Sequence, residues 1–276
     1  MKTITLHTIP APESLRQDIE CFRIFDYAGE DQLEIKVAPL AASGIVFQHK
    51  KGQSAIKNFI TSSGVKNSVS MSFIYGARIT HSIMNYKKGP FTTIQVIFKP
   101  HALRSIFGID ASTITERRID LNTFAGQDLT SQLLEAPTKK KQIALLTKFL
   151  VTQKKQAKTR DGLVEESLAL ISKHIASIDV KDLVISLNIS ERQLEKRFVQ
   201  TVGIPPQSYI RVKRFNEAIR LMKSKKFERL TDVAHALNYY DQSHFIRDLK
   251  DFTGITPKSI FQKVDNFHEQ GGFSYI

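Results

Sequence analysis

Eight polar side chains in the last third of this sequence have the chemistry to grip or read a polyanion. Arg192, Glu195 and Lys196 crowd into five positions, and Gln242, Ser243 and Arg247 into six. A guanidinium or ammonium can donate to guanine O6 and N7 or to a phosphate. A glutamine amide matches adenine, and a carboxylate can accept from cytosine N4. Glu195 has a plainer use as the i, i+3 partner of Arg192 or of a neighbouring lysine. Arg211 and Arg214 stand between the two clusters. They are better cast as phosphate clamps than as base readers, their plain alternative being the solvated face of a helix.

Such side chains are useful only if something rigid presents them, and the sequence writes that element twice. Asp182, Leu187 and Asn188 recur as Asp232, Leu237 and Asn238 at an offset of fifty. Past the Asn the offset grows by one. Phe198 then falls on Leu249, Gly203-Ile204 on Gly254-Ile255, Pro206 on Pro257 and Ser208 on Ser259, and Lys196 matches Arg247. In the first copy Leu183, Val184 and Leu187 form an apolar helical stripe. Asn188 tolerates the left-handed conformation that stops a helix. Ser190 restarts the chain as an N-cap, with Gln193 completing a capping box. Leu194 and Phe198 face inward and Gly203 is the stop. The second copy repeats the plan with Val233, Ala234 and Leu237 inside, Asn238 at the turn, Asp241 as cap, Phe245 and Leu249 inside, and Gly254 at the end. A helix, a short turn and a second helix is the unit whose second helix enters the DNA major groove. A solenoid repeat is the competing reading, but it wants three or more copies at a shorter period. Here two units, 182–203 and 232–254, are joined by a helical segment from Pro206 to Lys223. That connection would set the reading helices about one DNA turn (roughly 34 Å) apart, so that one monomer reads an asymmetric site.

The run from Leu237 to Lys250, followed by Thr253-Gly254-Ile255-Thr256-Pro257, resembles the signature of the AraC/XylS family of bacterial transcription regulators. The first copy agrees, as do Arg214, Ala218, Leu221 and Met222 of the joining helix. The resemblance covers residues 160 to 264. Asn188 and Asn238 depart from the glycine usual in both turns, and Leu249 from a usual phenylalanine. The stretch from Phe98 to Leu121 resembles the N-terminal domain of Bacteroidetes-type family members. These resemblances imply a transcription regulator with double-stranded DNA as its partner, RNA polymerase as a candidate second partner, and an N-terminal domain that could sense a small effector. An effector-independent regulator and a non-specific architectural DNA binder are the alternatives. Monomer and homodimer are both open.

Composition is consistent with this and excludes other classes. A chain of 276 residues with 41% hydrophobic residues can form two cored domains. No run of eighteen apolar residues offers a membrane span, and Met1-Lys2-Thr3-Ile4 lacks the apolar core of a signal peptide. A cytoplasmic protein is expected. One cysteine, Cys21, leaves neither a disulfide framework nor a cysteine-based zinc site, and it reads as a small buried apolar residue. The net charge of +13 points to a polyanion partner. Residues 139–160 hold eight cations and no anion, whereas the segment from Asp161 onward is nearly balanced. The excess therefore reads as a solvated connector, or as added sequence-independent phosphate contact. Dinucleotide, P-loop, nucleophile-elbow and zincin motifs are absent, so an enzyme is not expected, and neither is a cofactor or metal. His49, His81 and His101 lie on separate segments and read as lone histidines.

The first 127 residues alternate with a period of two over 33–37, 44–48, 68–75 and 93–98, with turns at Lys51-Gly52 and Lys88-Gly89. The expected architecture is thus a mainly antiparallel β domain with flanking helices (α+β), then an all-α domain with two helix-turn-helix units. The domains would be 1–155 and 156–266, with a tail at 267–276. Helices are expected from Pro100 to Ile106, just after Asp110, and over 128–136 and 139–153. Phe22, Phe25, Tyr27, Phe47, Phe73, Tyr75 and Phe98 could line an effector cavity or simply form the core. Ile143, Leu146 and Leu150 mark an amphipathic face that suits a dimer contact or, more commonly, packing on its own domain.

Overall fold

The computed structural model describes residues 4–125, 128–157, 159–224, 226–227, 229–239, 241–255 and 274–275. The strands are β1 (Ile4–Pro10), β2 (Ile19–Tyr27), β3 (Glu34–Val37), β4 (Gly44–His49), β5 (Ile56–Thr61), β6 (Lys66–Asn67), β7 (Ser72–Tyr75), β8 (Ser82–Tyr86), β9 (Phe91–Phe98) and β10 (Arg118–Asp120), with a short β11 at Ser274–Tyr275, and the four alternating runs fall on β3, β4, β7 and β9. Two antiparallel sheets result, ordered β1-β2-β9-β4-β7-β10 and β11-β3-β8-β5-β6. The expected turns form with positive φ at Lys51, Gly52 and Gly89.

Period two decides which core each side chain enters. Phe22, Ile24, Ile45, Phe47, Ile74, Ile94 and Val96 point from the first sheet into a core shared with helices. Their alternates Phe25, Tyr27, Val46 and Phe73 point into a second core between the sheets. With both faces covered, the central strands carry apolar residues on both.

The helical layer comprises α1 (Ala102–Phe107), α2 (Asn122–Ala125), α3 (Asp128–Glu135) and α4 (Lys139–Ala157). The first begins at Ala102 rather than Pro100 and stops at left-handed Gly108. A 3-10 turn over Ala111–Ile114 follows Asp110, whose carboxylate accepts from the Ser112 amide. Helix α4 buries Leu146 and Leu150 in the helix-side core, with Ile143 beside them. The amphipathic face therefore packs on its own domain. Two of its six lysines are paired: Lys139 reaches Asp26 at 2.6 Å and Lys154 reaches Asp18 at 2.7 Å. The helix expected over 139–153 forms, and the segment read as a solvated connector is docked through its apolar face and these two lysines.

Six further helices follow: α5 (Gly162–Lys173), α6 (Val180–Leu187), α7 (Glu191–Val202), α8 (Pro206–Lys223), α9 (Leu230–Ala236) and α10 (Gln242–Thr253). Sequence patterning assigned no element to α5. Together they enclose a third core around Leu183, Phe198, Phe215, Ile219, Phe245 and Leu249, into which the β domain inserts Ala38, Ala41 and Ala77. Leu249, the departure from phenylalanine, is fully buried there. The repeat partners Pro257 and Ser259, and the tail apart from 274–275, lie outside the described residues.

Candidate nucleic-acid interface

The duplicated units are built from local rules that hold in both copies. Asp179 and Asp182 form a capping box at the start of α6, and Ser190 and Gln193 form another at the start of α7. Asn188 and Asn238 take φ of 50° and 53° at the two turns. At α10, Asp241 accepts from the His244 amide at 2.6 Å. Helix α9 lacks a side-chain cap, with Arg229 in that position. Gly203 and Gly254 end α7 and α10 with left-handed φ of 96° and 67°.

Capping fixes which face each second helix turns outward. In α7, Leu194, Phe198, Thr201 and Val202 are buried, and Arg192, Glu195 and Lys196 are exposed. In α10, Phe245, Asp248, Leu249 and Phe252 are buried, and Gln242, Ser243 and Arg247 are exposed. Among the described residues none of these six exposed side chains is held by a hydrogen bond or ion pair. Arg192 and Glu195 do not pair with each other, so their donors and acceptors are free for a ligand.

Arg211 and Arg214 stand differently. The Arg211 guanidinium lies 2.6 Å from Asp248 and 2.8 Å from Asp251, and 4.9 Å from the Phe252 ring centroid. Burial disfavours its charge, but the two carboxylates more than offset this and hold its pKa above the ordinary value. Arg214 donates to the carbonyls of Ile175 and Ile178 at 3.1 and 2.8 Å, at the α5–α6 junction. Both arginines thus connect α8 to a helix-turn-helix unit, Arg211 to the second and Arg214 to the first. Arg197 is likewise engaged, at 2.6 Å from Asp161, the N-cap of α5. Asp248 is the position that sequence reasoning passed over. A carboxylate in register with Phe245, Leu249 and Phe252 on a buried face needs a cation, and that register was legible.

The β domain holds a cavity of about 90 Å³ between its sheets, lined by Val46, Phe59, Phe73, Tyr75, Arg78 and Arg118 among others. Of the seven aromatics considered as lining, Phe73 and Tyr75 serve. Phe25 and Tyr27 pack in the core between the sheets, and Phe22, Phe47 and Phe98 belong to or face the helix-side core. The two arginines gave no signal in the sequence, being forty residues apart. The histidines occupy three separate settings. The His49 ring lies beside Phe47, and burial lowers its pKa. His81 Nδ1 lies 3.2 Å from the Asp251 carbonyl, and His101 Nε2 lies 3.1 Å from that of Gln17. Cys21 is buried, and burial raises its pKa.

Comparison with known proteins agrees with this geometry. Residues 183–263 match a helix-turn-helix domain family, and residues 7–120 match a domain family of unknown function. The regulator GbdR of Pseudomonas aeruginosa is 27% identical over 101 residues, 36% of this chain and 27% of that protein. The F1 operon positive regulatory protein of Yersinia pestis is 32% identical over 81 residues, 29% of this chain and 27% of that one. The chain therefore spans about a quarter of the length of these relatives. Over nearly its whole length it shares the fold of ToxT from Vibrio cholerae, with a TM-score of 0.51 at 12% identity, covering 95% of this chain and 98% of ToxT. A form of ToxT solved with an unsaturated fatty acid bound aligns at a TM-score of 0.50 and 14% identity, over 87% of this chain and 94% of that one. The paired helix-turn-helix units and the relatives matched over them support an AraC-type transcription regulator.

Proposed function

We propose that this protein is a sequence-specific double-stranded DNA-binding transcription regulator whose helices α7 and α10 read adjacent major-groove segments. One observation carries the reading: each second helix leaves a set of base-matching side chains exposed and uncommitted, Arg192, Glu195 and Lys196 on one and Gln242, Ser243 and Arg247 on the other. Lys196 and Arg247 occupy equivalent places and are assigned base or phosphate contact. Arg192 and Gln242 lie nearer the helix starts, where base edges are reached. Arg211 and Arg214 act on DNA indirectly, by setting the orientation of each unit on α8, since the Nε and Nη2 of each already have partners. Residues 1–155 form a regulatory domain and residues 156–266 the DNA-binding domain. RNA polymerase is the protein partner such a regulator addresses, in the cytoplasm, as a monomer or homodimer, and no catalysis is assigned.

The cavity between the sheets supports a sensing role for the N-terminal domain, and ToxT, which shares the fold, has been solved with a bound fatty acid. Selecting bound DNA from a random pool, then comparing that site with random DNA at fixed salt, tests the regulator reading. Specific binding is expected to exceed non-specific binding by at least about a thousandfold. A ratio near one would mark an architectural binder instead.

A further inference from the structure

The cavity between the sheets holds more cation than anion. Arg78 reaches it from the segment between β7 and β8, and Arg118 reaches it from β10. The Arg118 guanidinium lies 3.1 Å from the Phe59 ring centroid and that of Arg78 4.8 Å from it, so both cations stand over the same aromatic ring. Against them stands Glu116, 3.6 Å from Arg78. Its other oxygen already accepts from the Ile79 amide at 2.9 Å. Among the described residues no ion pair reaches Arg118. Burial lowers the pKa of Arg78 to about 10, and burial together with the charge of Arg78 lowers that of Arg118 to about 9. Much of the remaining wall is apolar, with Val37, Val46, Phe73 and Met84. Two guanidinium groups in an apolar chamber, sharing part of one carboxylate, are incompletely compensated. The complementary group is a carboxylate, which an arginine fork grips through paired hydrogen bonds. Size narrows the class further. A cavity of roughly 150 Å³ accepts benzene, so one of about 90 Å³ takes a smaller molecule.

We propose that Arg118 and Arg78 bind the carboxylate of a short-chain aliphatic acid, whose hydrocarbon end rests on Val46, Phe73 and Met84. The proposal rests on the sensing role assigned to the N-terminal domain and names its ligand class. It also gives the site a route to the reading helices. Glu116 is a non-glycine residue at φ 56°, held there by its N–H, which donates to the Ala77 carbonyl at 3.2 Å, and by its carboxylate, which accepts from the Ile79 amide. Its neighbour Thr115 donates to the Gly203 carbonyl at 2.5 Å, at the end of α7. On the same segment as Arg78, His81 meets the Asp251 carbonyl near the end of α10. An acid that draws Arg78 from Glu116 therefore acts on residues touching both reading helices.

Titration calorimetry on the full chain with butanoate, butanamide and cis-9-hexadecenoate tests this, with binding of the selected DNA site measured on the same preparations. Butanoate is expected to bind at least about tenfold more tightly than butanamide, since the arginines recognise the charge. Arg118→Gln is expected to erase that preference and Arg118→Lys to retain it. Ala42→Leu fills the chamber while keeping both arginines, and is expected to block butanoate even if Arg118→Gln fails to fold. Equal binding of butanamide, response to hexadecenoate alone, or no response to any of the three overturns the proposal. The regulator reading survives each of those results provided the DNA site is still bound specifically. Selective butanoate binding without specific DNA binding would sustain the acid site and sink the regulator reading.

Discussion

Arg247 and Arg211 lie only 36 positions apart and carry the same group, yet one is uncommitted and the other is paired with two carboxylates. Arg247 is exposed and uncommitted, so Arg247→Ala should leave the fold intact. It should cost about 1–3 kcal/mol on the selected site and relax the choice at one base. Fluorescence anisotropy on that site and its single-base variants checks this, and equal weakening on every sequence would recast Arg247 as a phosphate contact. Arg211 neutralises Asp248, which is 2% exposed. Arg211→Ala leaves that carboxylate buried without its strongest partner, and because Arg211 is itself partly exposed the loss is discounted to about 1–3 kcal/mol of stability. Urea unfolding should show it as a lower midpoint, with binding to all DNA sequences weakened alike. The sequence displays residue type and not the neighbour 37 positions away, which is why Arg211 and Arg214 read as clamps.

At the scale of elements, what was legible is what local rules decide. The Ser190–Gln193 box, the left-handed asparagines and the limits of α8 at Pro206 and Lys223 all follow from residues within a turn of one another. The apolar docking face of α4 was legible, but its ion pairs were not, because Asp18 and Asp26 lie more than a hundred residues from the lysines they meet. Helix α5 was passed over although its signals are local: Asp161 accepts from the Val164 amide three residues on, and Val164, Ser167 and Ile171 form its buried face. The cap on α10 offers a test. Asp241→Ala removes the acceptor of the His244 amide and is expected to cost about 1 kcal/mol of stability. Asn238→Gly should be nearly neutral and Asn238→Val clearly destabilising, since φ of 53° strains a branched side chain. Thermal unfolding of the three variants measures both, and a tolerated valine would contradict the turn geometry.

At the scale of the whole molecule, the β domain rests on the helical domain through Ala38, Ala41 and Ala77, and through Thr115 at the end of α7. Asp18 ties the edge of this assembly together, accepting from Ser105 at 2.6 Å and lying 2.7 Å from Lys154 and 3.7 Å from Arg160. Burial alone would raise its pKa, but hydrogen bonds from His101, Lys154 and Ser105 more than reverse this and hold it far below the ordinary 3.8. A carboxylate depressed on folding stabilises the folded chain above its unfolded pKa, and that stability is lost as pH falls through and below about 3.8. Asp18→Asn should therefore unfold more easily at pH 7 and show a shallower loss of stability below pH 4, roughly where unfolded carboxylates titrate. An unchanged acid profile would remove Asp18 from that role.

The arrangement of the two reading helices on α8 is tested most directly by crossing Lys196→Ala and Arg247→Ala with every single-base change in the selected DNA site. Each substitution is expected to show non-additive energetics at a different place, the two places lying about one helical turn (~10 base pairs) apart. Coupling of both residues to the same base pair, or of neither to any, would contradict two groove-reading helices held side by side.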